Sequence, residues 1–229
     1  MHKIISGLVE FKSSHQESFI QDFPDLVSGQ NPMALLIVCC DSRIMPTIST
    51  RIGPGDLFVL RNIGNLIPPY DFINQGNAFK HSSVVAALEF ALLYLNVPNI
   101  IICGHSECGA MKYLLDNKEV PDTPFLHNWI SEAKGVYNEF IESGTDKNNI
   151  NAHNVLSRLN VIHQLDNLQS FPIVKERLNK GTLQINGWWL DISNYNVFHY
   201  MKDTGEFLEI NETSAPEIIK RLYSFDSVI

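Results

Sequence analysis

Cysteine is scarce in this chain: four among 229 residues, at positions 39, 40, 103 and 108. Two are sequence neighbours and the set falls into two close pairs, a poor framework for disulfide staples. A chain this long does not need staples, since folding at this size buries roughly 70–75% of the surface of the unfolded chain. Charge is also sparse, at 18% of residues, and its balance is −8. That excludes the basic composition of a non-specific nucleic-acid or anionic-membrane binder. Neither Gly-x-Gly-x-x-Gly nor a P-loop pattern occurs, so a nucleotide-binding module would lack its phosphate cradle. There is no internal repeat, low-complexity tract or Pro/Ser-rich linker, which predicts a single domain over 1–229, with 1–29 as an N-terminal helical arm and 30–229 as its core. The N-terminus lacks the apolar stretch of a secretory leader. The most apolar segment, Val84 to Val97, carries Glu89 and is too short to span a bilayer. These absences together predict a cytoplasmic protein whose reduced cysteines serve a metal or thiol chemistry.

What the chain does have is a series of short buried strands separated by helical stripes. Hydrophobic residues make up 45%. Ile4, Ile5, Leu8, Val9, Phe19, Ile20 and Phe23 lie on a broad helical stripe across 3–23. Ala34-Leu35-Leu36-Ile37-Val38 is a continuous apolar run, too short for a typical helix, and reads as a strand buried on both faces. Gly53-Pro54-Gly55-Asp56 marks a turn, Leu57 to Leu60 a second such strand, and 62–78 a long loop rich in Asn, Gly and Pro. A helix from about His81 to Asn96 is apolar almost all the way round, which predicts cover on every side. Asn99 to Cys103 is the third buried strand, closed by Gly104. The spacing then predicts helices near 125–142, 151–169 and 171–179 and strands near 182–192, 195–201 and 206–210. Asp203-Thr204-Gly205 reads as a turn, and Ser214 as the cap of a last helix in a Ser-x-x-Glu capping box. Strand–helix–strand order of this kind predicts an α/β fold, an open, mainly parallel sheet flanked by helices.

Three residues with metal affinity fall at telling places. Cys39 follows the first buried strand, His105 the third, and Cys108 lies in the first turn of the next helix. Ligands of open α/β sheets bind outside the carboxyl ends of strands, and a helix N-terminus favours the thiolate that binds metal. Two thiolates and an imidazole suit Zn²⁺ and leave a fourth position open. Spacing alone also admits the plainer reading of Cys39, Cys40 and Cys103 as small buried hydrophobes. Asp41 and Arg43 follow in Cys-Cys-Asp-Ser-Arg-Ile-Met-Pro. They place a carboxylate near the candidate metal, with a guanidinium able to hold it bidentately; an ordinary loop-fixing ion pair fits the same spacing.

These residues resemble a family. Cys39-x-Asp41-Ser42-Arg43 with His105-x-x-Cys108 is similar to the paired signature of the β-class carbonic anhydrases. Arg61-Asn62-Ile63-Gly64-Asn65 resembles their Arg-Asn-x-Gly-Asn stretch, and Gly104-His105-Ser106-x-Cys108-Gly109-Ala110 their zinc-site strand end. Ala87-Leu88-Glu89-Phe90-Ala91, Gly187-Trp188 and Asp191 fit as well, so the resemblance runs from about 28 to 192. It implies reversible hydration of CO2 to bicarbonate at one Zn²⁺ per subunit, held by Cys39, His105 and Cys108, with Asp41 and Arg43 as catalytic dyad. Asp41 is also implied as a conditional fourth ligand, since some members keep its counterpart on the metal in a closed state. Gln30 matches a glutamine that reaches the zinc pocket, and so the substrate, of a neighbouring subunit. The family's dimers and higher assemblies imply an N-terminal helix packed on a neighbour. The chain departs from members that carry a non-catalytic bicarbonate pocket: Arg61 matches its Arg, but Leu36 and Leu190 stand where Trp and Tyr would be.

Two thiolate ligands cancel the ion's formal charge, which predicts a less acidic bound water than on a three-histidine zinc and activity that rises toward alkaline pH. Tyr70 and Phe72 are candidates for a CO2 pocket, with packing as the plainer role, and His81 is a candidate proton shuttle. His127, His153 and His163 read as solvated or core-satisfied, and Cys40 as core. Two other functions remain open at this point. One is hydrolysis of carbon disulfide or carbonyl sulfide on the same fold, and the other a structural zinc without catalysis.

Overall fold

Runs of branched and large apolar residues form the centre of the molecule. In the computed structural model, which describes residues 1–70, 82–116 and 122–224, Ala34–Cys39 (β1) and Asn99–His105 (β3) are the most deeply buried strands. Alternate residues face opposite ways. Leu36, Val38, Ile101 and Cys103 join a core with Met111, Phe140 and Leu156. Leu35, Ile37, Ile100 and Ile102 join another with Leu88, Val161 and Leu168. Cover on both faces is why these strands show no alternation of polar and apolar residues.

The sheet has six strands in the order β2-β1-β3-β4-β5-β6, with β2 at Leu57–Asn62, β4 at Gln184–Leu190, β5 at Val197–Met201 and β6 at Glu206–Glu209. The first four are parallel to their neighbours and the last two turn antiparallel. The mainly parallel α/β sheet expected from the sequence is therefore present. The chain leaves β1 toward β2 on one side and returns to β3 on the other, so the direction of winding switches between β1 and β3. A crevice opens at such a point outside the strand ends.

Helices in chain order are α1 (His2–Ser14), α2 (Gln16–Asp22), α3 (Pro46–Thr50), α4 (Ser82–Glu89), α5 (Gly109–Asp116), α6 (Pro124–Ile130), α7 (Lys134–Glu142), α8 (Ala152–Ser170), α9 (Pro172–Asn179) and α10 (Ala215–Ser224). None of them is long and apolar enough to cross a membrane. The predicted helix over 125–142 is broken into α6 and α7 by a tight turn at Ser131–Ala133. α8 approaches the sheet closely because β3 and β4 present glycines to it. A Cβ on Gly104 would lie 2.6 Å from Val161 Cγ2, and one on Gly187 2.9 Å from Val161 Cγ1.

Four expectations need correction. β2 is an edge strand, half-buried with Val59 exposed, because only β1 flanks it. Cys40 is exposed rather than core, since it stands one residue past the end of β1. The apolar helix beyond Ser82 ends in a wider π turn at Phe90–Tyr94 and is not covered all round: Leu93 and Tyr94 are 64% and 82% exposed. Ser214 stands just before the last helix, but its hydroxyl donates to the Glu209 carbonyl and accepts the Asn211 N–H, while Asn211 Oδ1 accepts the Thr213 and Ser214 N–H groups. That is an Asx-type turn in place of a capping box.

Candidate metal centre

β1 and β3 run side by side in register, with Val38 opposite Cys103, so Cys39 and His105 emerge together at the carboxyl ends of the two strands. Cys108 returns to those strand ends from the position just before α5, one step earlier than the first turn predicted for it. The donor atoms of Cys39, His105 and Cys108 all lie within 4.8 Å of one another, and all three residues are buried. His105 is completely buried. Its Nδ1 lies 2.8 Å from the Ser106 carbonyl oxygen and donates to it, which leaves the lone pair on Nε2, and Nε2 has no hydrogen-bond partner. A buried nitrogen left bare beside two sulfurs is costly unless something accepts its lone pair. The donor set, two sulfurs and an imidazole, suits zinc.

The two thiols are electrostatically unequal. Cys39 is held down to about 4, first by a hydrogen bond from Cys108, with further help from His105 and the backbone N–H groups of Gly64 and Asp41, against the opposing effect of burial. Cys108 is pushed up because it is the donor in that pair and is buried, although the N–H groups of Met111 and Ala110 at the start of α5 favour its thiolate. One sulfur is thus already disposed to be a thiolate. The other sits on a helix N-terminus that would favour the same state with a cation in place.

Asp41 does not join this group. Arg43 Nε donates to Asp41 Oδ1 at 2.9 Å and its Nη2 to Oδ2 at 2.7 Å, while the Arg43 backbone N–H closes a local turn on Oδ1 at 3.0 Å. The fork pairing holds the Asp41 carboxyl far below the usual carboxylate range. Arg43 is itself tethered: its Nη2 also donates to the Glu107 carbonyl at 3.2 Å, and its own carbonyl accepts the Tyr195 hydroxyl. Glu107 takes a left-handed backbone, φ 58°, and its N–H donates to Asn154 Oδ1 at 2.8 Å. The loops after β1 and β3 are therefore locked to each other by side chains.

Arg61 is committed elsewhere. It donates to the carbonyls of Cys39, at 3.1 Å, and Ile44, at 2.7 Å, and so staples the two ends of the Asp41 loop. Leu36 and Leu190 line a small apolar cleft with Val38, Ile44, Cys103 and Trp188. Neither observation describes an anion pocket at that place.

Sequence reasoning missed the side of α8 that faces the centre. Ser157 donates to the His105 carbonyl at 2.7 Å, and Asn160 Nδ2 to the Gly64 carbonyl at 3.0 Å. Gln164 accepts the Ile67 N–H at 2.7 Å and Asn167 donates to the Ile67 carbonyl at 2.8 Å. All four are buried. Their spacing of three and four residues was the available signal, although a polar stripe of that spacing more often marks a solvated face.

The remaining candidates scatter. Gln30 is exposed in the segment before β1. Tyr70 packs edge-on against Phe171, 5.6 Å between centroids, in the core on the other face of the sheet. Phe72 and His81 lie outside the described residues. His153 and His163 pair with Glu107 and Glu139, each at 2.8 Å, as the plain reading of those histidines expects.

With this geometry in hand, the likeness to known proteins is specific. A profile of the carbonic anhydrase family matches residues 34–197. The carbonic anhydrase of Synechococcus elongatus is 37% identical over 218 residues, covering 95% of this chain and 74% of that protein. The solved β-carbonic anhydrase CcaA superposes with a TM-score of 0.82 at 35% identity, over 92% of this chain and 99% of that one. A tetrameric β-carbonic anhydrase of Sordaria macrospora gives 0.74 at 28% identity, over 86% and 95%. The profile match spans β1 to β4, the three converging donors and the Asp41 loop, and the chain accordingly belongs to the β-class carbonic anhydrases, which are lyases.

Proposed function

We propose that this chain hydrates CO2 reversibly to bicarbonate and a proton with one zinc ion per subunit, held by Cys39, His105 and Cys108. The observation that carries the reading is the fully buried, unpartnered Nε2 of His105 beside two cysteine sulfurs. A zinc ion held there would supply a water far more acidic than bulk water, and so a nucleophile whose supply grows toward alkaline pH. Asp41 would be the hydrogen-bond acceptor that orients such a water. Arg43 keeps that carboxylate ionised and paired outside the group of three donors, so that a metal held by them would keep a position free for substrate water. In a subunit where Arg43 let go, Asp41 would become the fourth ligand and close the site. Ser157 and the Ser106 carbonyl fix the His105 ring and backbone, so that Nε2 is presented without searching for a rotamer.

Self-association belongs to the same proposal. α1 leaves Ile4, Ile5, Leu8 and Val9 more than half exposed, and the turn after α4 exposes Leu93 and Tyr94. Apolar area of this extent fits a dimer or tetramer in which the 1–29 arm lies on a neighbour and Gln30 reaches its substrate pocket. Reduced, metal-bound cysteines suit the cytoplasm.

The test is stopped-flow CO2 hydration with and without zinc chelation, from mildly acidic to alkaline pH. Zinc-dependent activity that rises with pH is expected. Bound zinc without hydration at any pH would overturn the reading and redirect it to carbonyl sulfide or carbon disulfide, then to a structural zinc.

A further inference from the structure

The Cys39 sulfur accepts a hydrogen bond from within the chain: the Gly64 N–H lies 3.4 Å from Sγ. That N–H belongs to the Ile63–Gly64 peptide, and the carbonyl of the same peptide accepts the indole N–H of Trp129 at 2.7 Å. In a trans peptide the C=O and N–H point in opposite directions. A donor fixed on the oxygen therefore fixes the direction of the N–H, and it also polarises the amide into a stronger donor.

The segment has no regular ladder to hold it there. Gly64 has φ 78° and Asn65 φ 48°, both left-handed, just beyond the end of β2. A Cβ on Gly64 would meet Ala110 Cβ at 3.0 Å, so the segment also presses on the start of α5. Asn160 grips the next carbonyl, that of Gly64. Side chains from α6 and α8 thus hold the two consecutive peptides that aim one N–H at one sulfur.

We propose that Trp129 is a positioning residue for the metal ligand Cys39: its indole N–H holds the Ile63–Gly64 peptide so that the Gly64 N–H stays on the ligand sulfur. This rests on the zinc reading above. A hydrogen-bonded thiolate gives less electron density to its metal, which raises the energy of charge transfer from the sulfur; it is also fixed in orientation, and it is this pre-set ligand geometry, held by an outer-shell partner, that favours metal binding.

The experiment compares wild type with Trp129→Phe, which keeps an aromatic ring and removes the donor. With Co²⁺ in the site, the thiolate-to-cobalt charge-transfer band is expected to move to lower energy in the variant. Competition with a chromophoric chelator should show zinc held about tenfold more weakly. A variant with the wild-type band and affinity, whatever its melting temperature, overturns the positioning role and leaves the zinc reading intact. A wild-type protein with no thiolate–cobalt band overturns the zinc reading itself and this proposal with it. Should Trp129→Phe fail to fold, cadmium-113-loaded wild type decides. The Gly64 amide proton is expected to couple to the metal through the sulfur hydrogen bond, and its absence from that coupling would sink the proposal.

Discussion

Asp41 and Arg43 are joined by two parallel hydrogen bonds, 2.9 and 2.7 Å, which makes the pair a fork rather than a loose ion pair. The carboxylate is mostly shielded while the guanidinium is half-exposed. The arrangement positions Asp41 more than it stabilises the fold, because a partly exposed pair adds only about 0–1 kcal/mol. Asp41→Asn keeps the shape and removes the anionic acceptor. The expected outcome is a full zinc content by metal analysis and a CO2 hydration rate lower by about 10²–10⁴-fold, the usual weight of a positioned acid–base group. Turnover at the wild-type rate would remove Asp41 from the chemistry.

Arg43→Ala should act in the opposite sense on the metal. Without the fork the Asp41 carboxyl rises back toward the ordinary carboxylate range, because its depression comes first from the Arg43 side chain. It is then free to turn to the three donors. A crystal structure of the zinc-loaded variant at neutral pH is expected to show Asp41 on the ion, with activity reduced at least about tenfold. A carboxylate still turned away in that structure would show that Arg43 is not what holds the site open.

The pH dependence separates two titrations. Asp41 has a depressed pKa in the folded chain, so its charge is present throughout mildly acidic, neutral and alkaline pH and is lost only on strong acidification. Glu107, lowered to about 2 first by Lys112 and then by His153, behaves likewise. Neither carboxylate can supply a rise in rate above neutrality. A rising limb there reports the proton on the nucleophilic water, with a midpoint at or above about 7. Stopped-flow rates that stay flat from mildly acidic to alkaline pH would contradict two thiolate ligands on the ion.

Metal removal should be felt by the fold as well as by the rate. Chelation returns a bare His105 Nε2 and two buried sulfurs that must share protons. Loss of activity together with a lower melting temperature is expected, both restored by zinc. A chelated protein that melts at the holoprotein temperature would mean that the three donors do not hold the ion.

The donors and the Asp41 loop were legible in the sequence because each lies within a few residues of a recognisable strand end. Cys39 and His105 needed only the strand order to be brought together. The support beneath them was not legible. Ser157, Asn160 and Gln164 carry polar groups on a helix that tertiary packing buries, and periodicity cannot tell a solvated stripe from a satisfied one. The indole N–H of Trp129 reaches the centre through a peptide in a left-handed turn distant in sequence. The edge position of β2 and the exposure of Cys40 depend on where the sheet stops, which no local pattern encodes. The bare faces of α1 and of the turn after α4 were visible as apolar stretches, but the sequence does not say that the single chain leaves them open.

The close approach of α8 is the last feature that can be tested by a single atom. A Cβ added at Gly104 would stand 2.6 Å from Val161 Cγ2, 3.2 Å from the Ser157 carbonyl oxygen and 3.3 Å from Trp189 Cδ1. Something must move, and the helix is the element free to retreat from a sheet fixed by strands on both sides. Ser157 would then withdraw from the His105 carbonyl, and a buried acceptor beside a metal ligand would lose its partner. Gly104→Ala is therefore expected to lose about 1–3 kcal/mol in urea unfolding, the ordinary penalty of overpacking. Its zinc affinity should also fall about tenfold through the disturbed ligand support. Wild type is the reference, and zinc affinity is read beside the unfolding midpoint. A midpoint and a zinc affinity that both stay at the wild-type values would mean that α8 yields without disturbing His105, and that the ligand does not depend on the helix behind it.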